Sequence, residues 1–141
     1  ELLVKSLPYG PFLIKPNNYE LGEIFGVRLT TRSSVIPYAK KLQNMGARNV
    51  LVSMAGEGAV LVSDDGRVID APAPEGKLIN GVGAGDSMVA GFMAGYLARH
   101  DYNHAFCMGV ASGSASAFSE NLATKEEIEK VYKTIVLEEK V

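Results

Sequence analysis

The sequence predicts a layered α/β domain, and three observations predict it. Short apolar strands alternate with segments of helical periodicity. Asp64-Asp65-Gly66 sits between Ala59-Val60-Leu61-Val62 and Arg67-Val68-Ile69-Asp70, a strong hairpin signal. The glycine-rich loop Asn80-Gly81-Val82-Gly83-Ala84-Gly85-Asp86 opens directly into a helical run.

The elements follow in order. Glu1-Leu2-Leu3-Val4-Lys5-Ser6-Leu7 reads as the tail of an amphipathic helix already under way. With Glu1 rather than Met at the start, it suggests a fragment that begins inside a larger α/β domain. Residues 12–15 read as a buried strand ending at Pro16. Asn17-Asn18-Tyr19-Glu20 has turn and N-cap character, and a short helical turn through Leu21, Ile24 and Phe25 follows. A helix is predicted over 34–45, capped by Ser33 or Ser34, with Pro37 in its first turn and Gly46 just past its end. Residues 49–53 form a β-branched strand, and Met54-Ala55-Gly56-Glu57-Gly58 a loop. Pro72 and Pro74 end the hairpin. A helix then runs from about Asp86 to Arg99, with Met88, Val89, Phe92, Met93, Tyr96 and Leu97 at helical spacing. A second, about 103–118, is rich in Ala, Ser and Gly. The last helix opens on a capping box, Thr124 to Glu127, and carries the stripe Ile128, Val131, Tyr132, Ile135 and Val136.

Bulk properties exclude several classes. The 141 residues suffice for one modest domain, and 47% hydrophobic residues can supply its core. Fourteen Lys and Arg against 16 Asp and Glu leave a charge of −2, which argues against a nucleic-acid surface. The longest apolar stretch, Met88 to Leu97, is too short to span a bilayer, so no membrane partner is expected. The single cysteine, Cys107, makes no internal disulfide, and a reducing cytoplasm is the simplest compartment. His100 and His104 lie near a helix junction, where solvated rings are expected, and no metal spacing involves them.

The densest chemical signal is Gly81-Val82-Gly83-Ala84-Gly85-Asp86-Ser87. Glycines let the backbone approach a ligand closely. The first amides of a helix lack internal partners and, with the helix dipole, make an anion site. A carboxylate beside it can accept a proton from an attacking hydroxyl. On spacing alone, the same residues also describe a glycine turn followed by a first-turn acid. The dinucleotide pattern fails because Asp stands at position 86, and the Walker pattern fails for want of Gly-Lys-Ser/Thr.

Val82-Gly83-Ala84-Gly85-Asp86-Ser87-Met88-Val89-Ala90-Gly91 resembles the C-terminal signature of the ribokinase-like carbohydrate kinases, the PfkB family. Lys15-Pro16-Asn17-Asn18-Tyr19-Glu20 resembles that family's K-P-N-x-x-E element. Ser53-Met54-Ala55-Gly56-Glu57-Gly58 resembles its nucleotide loop, with Ala55-Gly56 where Gly-x is usual. The resemblance implies a three-layer α/β/α fold of which residues 1–141 are the C-terminal portion, the part with most sugar contacts and the lid being absent. It implies Asp86 as catalytic base and Gly83, Ala84 and Gly85 as anion hole. Lys15, Ser53, Gly56, Gly58 and Ser112 would meet ATP, with Ser112 on a helix walling the adenine pocket. Asn17 and Glu20 would organise Mg²⁺ through water. A helix N-cap at Asn17 or Asn18 with a first-turn acid, a plain two-glycine turn at 56–58 and close helix packing at Ser112 explain the same residues without a ligand.

Within the family, the wording is nearest to members that phosphorylate fructose 1-phosphate to fructose 1,6-bisphosphate, then to those acting on tagatose 6-phosphate. A nucleotide-binding fragment without activity and a noncatalytic sensor are the competing classes. An open sheet edge leaves room for a homo-oligomer.

Overall fold

The computed structural model describes residues 2–140. The chain forms two compact units: one reaches to Ala71 and also takes in the residues from Leu137 on, and the other is Pro72–Val136.

The first unit opens with α1 (Leu2–Ser6) and a 3₁₀ turn (Leu7–Tyr9). It continues through β1 (Leu13–Ile14), α2 (Asn18–Phe25), α3 (Arg32–Asn44) and β2 (Asn49–Ser53). A 3₁₀ turn (Ala55–Glu57) then leads into the hairpin of β3 (Ala59–Val62) and β4 (Val68–Ala71). A final strand, β5 (Glu138–Lys140), completes a sheet ordered β1-β2-β3-β4-β5. β1 and β2 are parallel and the other neighbours antiparallel, with Val62 opposite Val68 across the hairpin turn.

Every residue of β3 and β4, and all of β2 but Ser53, is buried. That explains why these strands read as continuous apolar runs rather than alternating ones. Val50, Val52, Val60 and Val62 join Leu21, Val35, Ala39 and Leu42 of the helices in one core. Polar residues hold the edges of this packing. The Asn49 amide donates to Phe12 O at 2.9 Å while its oxygen accepts from Asp64 N at 2.9 Å. Arg32 Nη1 lies 3.2 Å from Asp70 Oδ2, whose side chain is 1% exposed.

The start of α3, the place of Pro37 and the end of α6 differ from expectation. α3 starts at Arg32, because Thr31 rather than Ser33 or Ser34 is the cap, with Ser34 returning the bond as the third helical residue. Pro37 therefore lies inside the helix, beyond its first turn, where it removes one backbone donor. The last helix, α6 (Lys125–Thr134), ends before Ile135 and Val136; Ile135 is extended (φ −74°, ψ 128°), and the chain soon enters β5. Those two residues therefore do not continue the α6 stripe.

The second unit is built on α4 (Ala84–Arg99) and α5 (Tyr102–Ala117). Their contact runs over glycines, beside a Tyr96–Tyr102 ring stack near one end. A Cβ at Gly91 would stand 2.6 Å from Met108 O and 2.7 Å from Ser112 Cβ; one at Gly113 would stand 3.1 Å from Ala84 O. Close backbone approach is the reason for the small residues of α5. Phe92 is fully buried, while Leu97, expected on the apolar stripe, is 65% exposed.

His104 corrects the expectation of a solvated ring. It is partly buried, and its Nδ1 lies 2.9 Å from the Tyr132 hydroxyl of α6. Burial first, then the nearby Arg99 cation, lower its pKa from the ordinary value, against a smaller opposing effect of Asp101. The unfolded chain therefore binds the proton more readily. Stability contributed by neutral His104 is complete above about pH 6.5 and is lost as pH falls through that value and the lower folded one. Urea midpoints at pH 7.5 and 5.5 should fall less on acidification in His104→Gln than in the parent. His100 is exposed, in left-handed conformation at the C-cap of α4. Cys107 is buried and its thiol, desolvated and near Asp101, is pushed up to about 11.

Candidate active site

The loop before α4 is shaped by its backbone. Gly83, with φ 83°, is the N-cap and offers no side-chain oxygen to the helix. Left-handed geometry favours glycine there. Among the described residues, the amides of Gly85 and Asp86 have no backbone acceptor, as the first turn of a helix dictates. The Ala84 amide makes a long 3.3 Å bond to Gly81 O, so it is less free than its neighbours. Ser87 N donates to Gly83 O at 2.9 Å and starts the helical ladder. Asp86 is exposed in this first turn, beside the open amides.

The last turn of α5 holds this loop in place. Ala117 O accepts from Ile79 N at 2.8 Å and Asn80 N at 3.0 Å, which satisfies a helix-terminal carbonyl. The Asn80 side chain accepts from Val82 N at 3.0 Å, closing an Asx turn. Ser116 Oγ donates to Ser87 Oγ at 2.9 Å. Sequence reasoning missed Ser116, because a hydroxyl pair 29 positions apart leaves no local signal; Asn80 was read only as part of the loop, without its bond to Val82.

Ser112 is buried in the contact between α4 and α5, against Gly91. Its small size is accounted for by packing.

In the first unit the structure brings two of the expected motifs together. Asn17 bridges Ser53 in parallel register, and Ser53 N donates to Pro16 O at 3.1 Å. Asn17 is the N-cap of α2: its Oδ1 accepts from Glu20 N at 2.7 Å, and Glu20 Oε1 accepts from Asn17 N at 2.9 Å. One carboxylate oxygen of Glu20 is thus committed to the cap. Lys15 follows β1 directly and is partly exposed. Among the described residues no group of three or more His, Cys, Asp or Glu could hold a metal. A single exposed carboxylate fits a Mg²⁺ that keeps most of its water and is held chiefly by nucleotide phosphates.

The loop at 54–58 closes on its own backbone, with Met54 N donating to Gly58 O and Gly58 N to Ala55 O. Gly56 and Glu57 are exposed between them, and Gly58 is buried with φ 105°. Ala55 has φ 47°, a left-handed geometry that costs an L-residue about 1–2 kcal/mol. Glycine would relieve that strain but has more freedom to lose on folding. Ala55→Gly should raise stability by a net of about 0.5–1 kcal/mol, read as a higher urea midpoint.

A shallow groove of about 480 Å³ runs along α2, lined by Asn18, Tyr19, Glu23, Arg28 and Leu29 among others, and does not include Asp86. No helix among the described residues is long and apolar enough to cross a membrane.

The family model described as pfkB family carbohydrate kinase matches residues 2–129. The chain belongs to this family. A 1-phosphofructokinase of Bacillus subtilis is 50% identical over 131 residues, covering 93% of this chain and 43% of the relative. A D-tagatose-1-phosphate kinase of Bacillus licheniformis is 33% identical over 130 residues, covering 92% and 42%. A crystal structure of a Staphylococcus aureus protein provisionally assigned as a phosphofructokinase superposes with TM-score 0.93 and 40% identity, over 99% of this chain and 45% of that one. The mixed α/β fold expected from the sequence is thus that of the pfkB kinases. This chain spans less than half the length of each of these relatives.

Proposed function

We propose that these residues are the nucleotide-binding, catalytic C-terminal portion of an ATP-dependent sugar-phosphate kinase. Its reaction is transfer of the γ-phosphoryl group of ATP to the 6-hydroxyl of fructose 1-phosphate, giving fructose 1,6-bisphosphate and ADP. The observation that carries this reading is the exposed carboxylate of Asp86 beside the open amides of Gly85 and Asp86 at the head of α4.

Asp86 takes the proton of the attacking hydroxyl. The amides of Gly83, Gly85 and Asp86, with a smaller share from Ala84, stabilise charge on the transferring group. Little covalent chemistry is asked of the protein, so positioning and charge stabilisation dominate. Lys15, Ser53, Gly56 and Gly58 are assigned to ATP, and Asn17 and Glu20 to the water shell of Mg²⁺. When bound, that ion neutralises phosphate charge. Ser112 is assigned to the adenine pocket, and its place between α4 and α5 also accounts for its small size.

Similarity to the Bacillus licheniformis protein named D-tagatose-1-phosphate kinase favours a second acceptor, a tagatose phosphate. A coupled ADP-release assay on the full-length parent separates the two, using fructose 1-phosphate, tagatose 1-phosphate and tagatose 6-phosphate. Preference for fructose 1-phosphate supports the first reading, and preference for a tagatose phosphate the second. Absence of turnover on all three, with ATP bound, overturns both in favour of a sensor or another acceptor. The isolated segment should show no turnover.

A further inference from the structure

We infer that Ser116, at the last turn of α5, is a positioning residue for Asp86. This rests on the kinase reading above.

Two consecutive residues of that turn hold the catalytic loop from both ends. The Ala117 carbonyl accepts from the amides of Ile79 and Asn80, upstream of the glycines. The Ser116 hydroxyl donates at 2.9 Å to Ser87 Oγ, one residue downstream of Asp86. Ser116 is 8% exposed, so water is a poor substitute for this bond. Between the two anchors the loop has few side-chain constraints of its own. Gly81 and Gly83 carry none, and a Cβ at Gly83 would meet nothing within 4 Å. The Asn80 side chain constrains Val82 only.

The first turn of α4 is the least constrained part of that helix, because its amides lack internal acceptors. Ser87 is where this turn is fastened to α5. The backbone of Ser87 starts the ladder through Gly83 O, and its side chain is fixed by Ser116. The direction of the Asp86 carboxylate therefore depends on a hydroxyl outside the residues assigned to ATP and sugar. Small errors in the placement of a reacting group are costly in rate.

The test compares the full-length parent with Ser116→Ala, Ser87→Ala, the double variant and Ser116→Thr. Expected for Ser116→Ala is a kcat about tenfold lower, KM for the sugar within twofold and a melting temperature close to the parent's. The double variant should be no slower than the worse single one, since both remove the same bond. Ser116→Thr keeps the hydroxyl and should recover most of kcat. Exchange of the bonded amides of Ala84 and Ser87 should be faster in Ser116→Ala, a readout that does not need turnover. An unchanged kcat in Ser116→Ala, a loss confined to KM, or additive losses in the double variant would overturn the inference. If the parent transfers no phosphoryl group, the kinase reading fails by itself. Exchange at Ala84 and Ser87 then decides whether Ser116 orders the loop, and unchanged exchange overturns that too.

Discussion

Asp86→Asn in the full-length enzyme should lower kcat by about 10²–10⁴-fold, the range for removing a general base. The change is close to isosteric and keeps a polar group beside the open amides of Gly85 and Asp86. What it removes, under the proposed role, is the ability to take the hydroxyl proton. KM for ATP should change little, because the anion site is made of backbone. Folding should also change little, since Asp86 is exposed and its interaction with the helix dipole is worth about 0.3–1 kcal/mol. Steady-state kinetics and a thermal melt on the same preparation separate these effects. A variant that keeps most of its turnover would remove Asp86 from the catalytic role and leave it as a first-turn acid.

The second large effect is on stability. Arg32, at the start of α3, pairs at 3.2 Å with Asp70 of β4. The two ends differ in their access to water: the Arg32 side chain is 24% exposed and Asp70 1%. Arg32→Met removes the ion-pair cation from a carboxylate that stays buried, and should cost about 3 kcal/mol. Asp70→Asn leaves a guanidinium that still reaches solvent, and should cost less, about 1–2 kcal/mol. Urea unfolding of both variants reads the difference in midpoint. Equal effects, or none, would show that the pair contributes little beyond its packing.

How much of this was legible in the sequence depended on distance along the chain. Local signals were read well. Asn49–Ser53 is a strand with the expected limits, Asp64-Asp65-Gly66 forms the hairpin turn, and Thr124 and Glu127 make the capping box. The loop before α4 was legible because glycines, an acid and a helix start are contiguous there. α3 was placed two residues late because Thr31, Ser33 and Ser34 are all good caps, and only the reciprocal bond of Thr31 and Ser34 selects one. The end of α6 was misplaced because Ile135 and Val136 continue the helical spacing, while a strand partner 70 or so residues earlier claims the chain soon after. Ser116 with Ser87 and Arg32 with Asp70 join residues far apart in sequence, where no pattern links them. At Asn17 and Glu20 the structure displays the capping bonds that the sequence already offered as the plainer reading.

The glycine-lined contact of α4 with α5 has a consequence for how this protein can change over generations. At Gly91 and Gly113 the facing atoms include main-chain carbonyls, which cannot rotate aside as a side chain would. A methyl group gained at either position must push one helix away from the other. The head of α4 travels with that displacement, and Asp86 with it. An offset of about 1 Å at a reacting group can cost roughly a hundredfold in rate. Under the proposed role of Asp86, substitutions at these glycines should therefore be purged for lost turnover even where the fold survives them, so that selection on chemistry reaches residues of a helix contact.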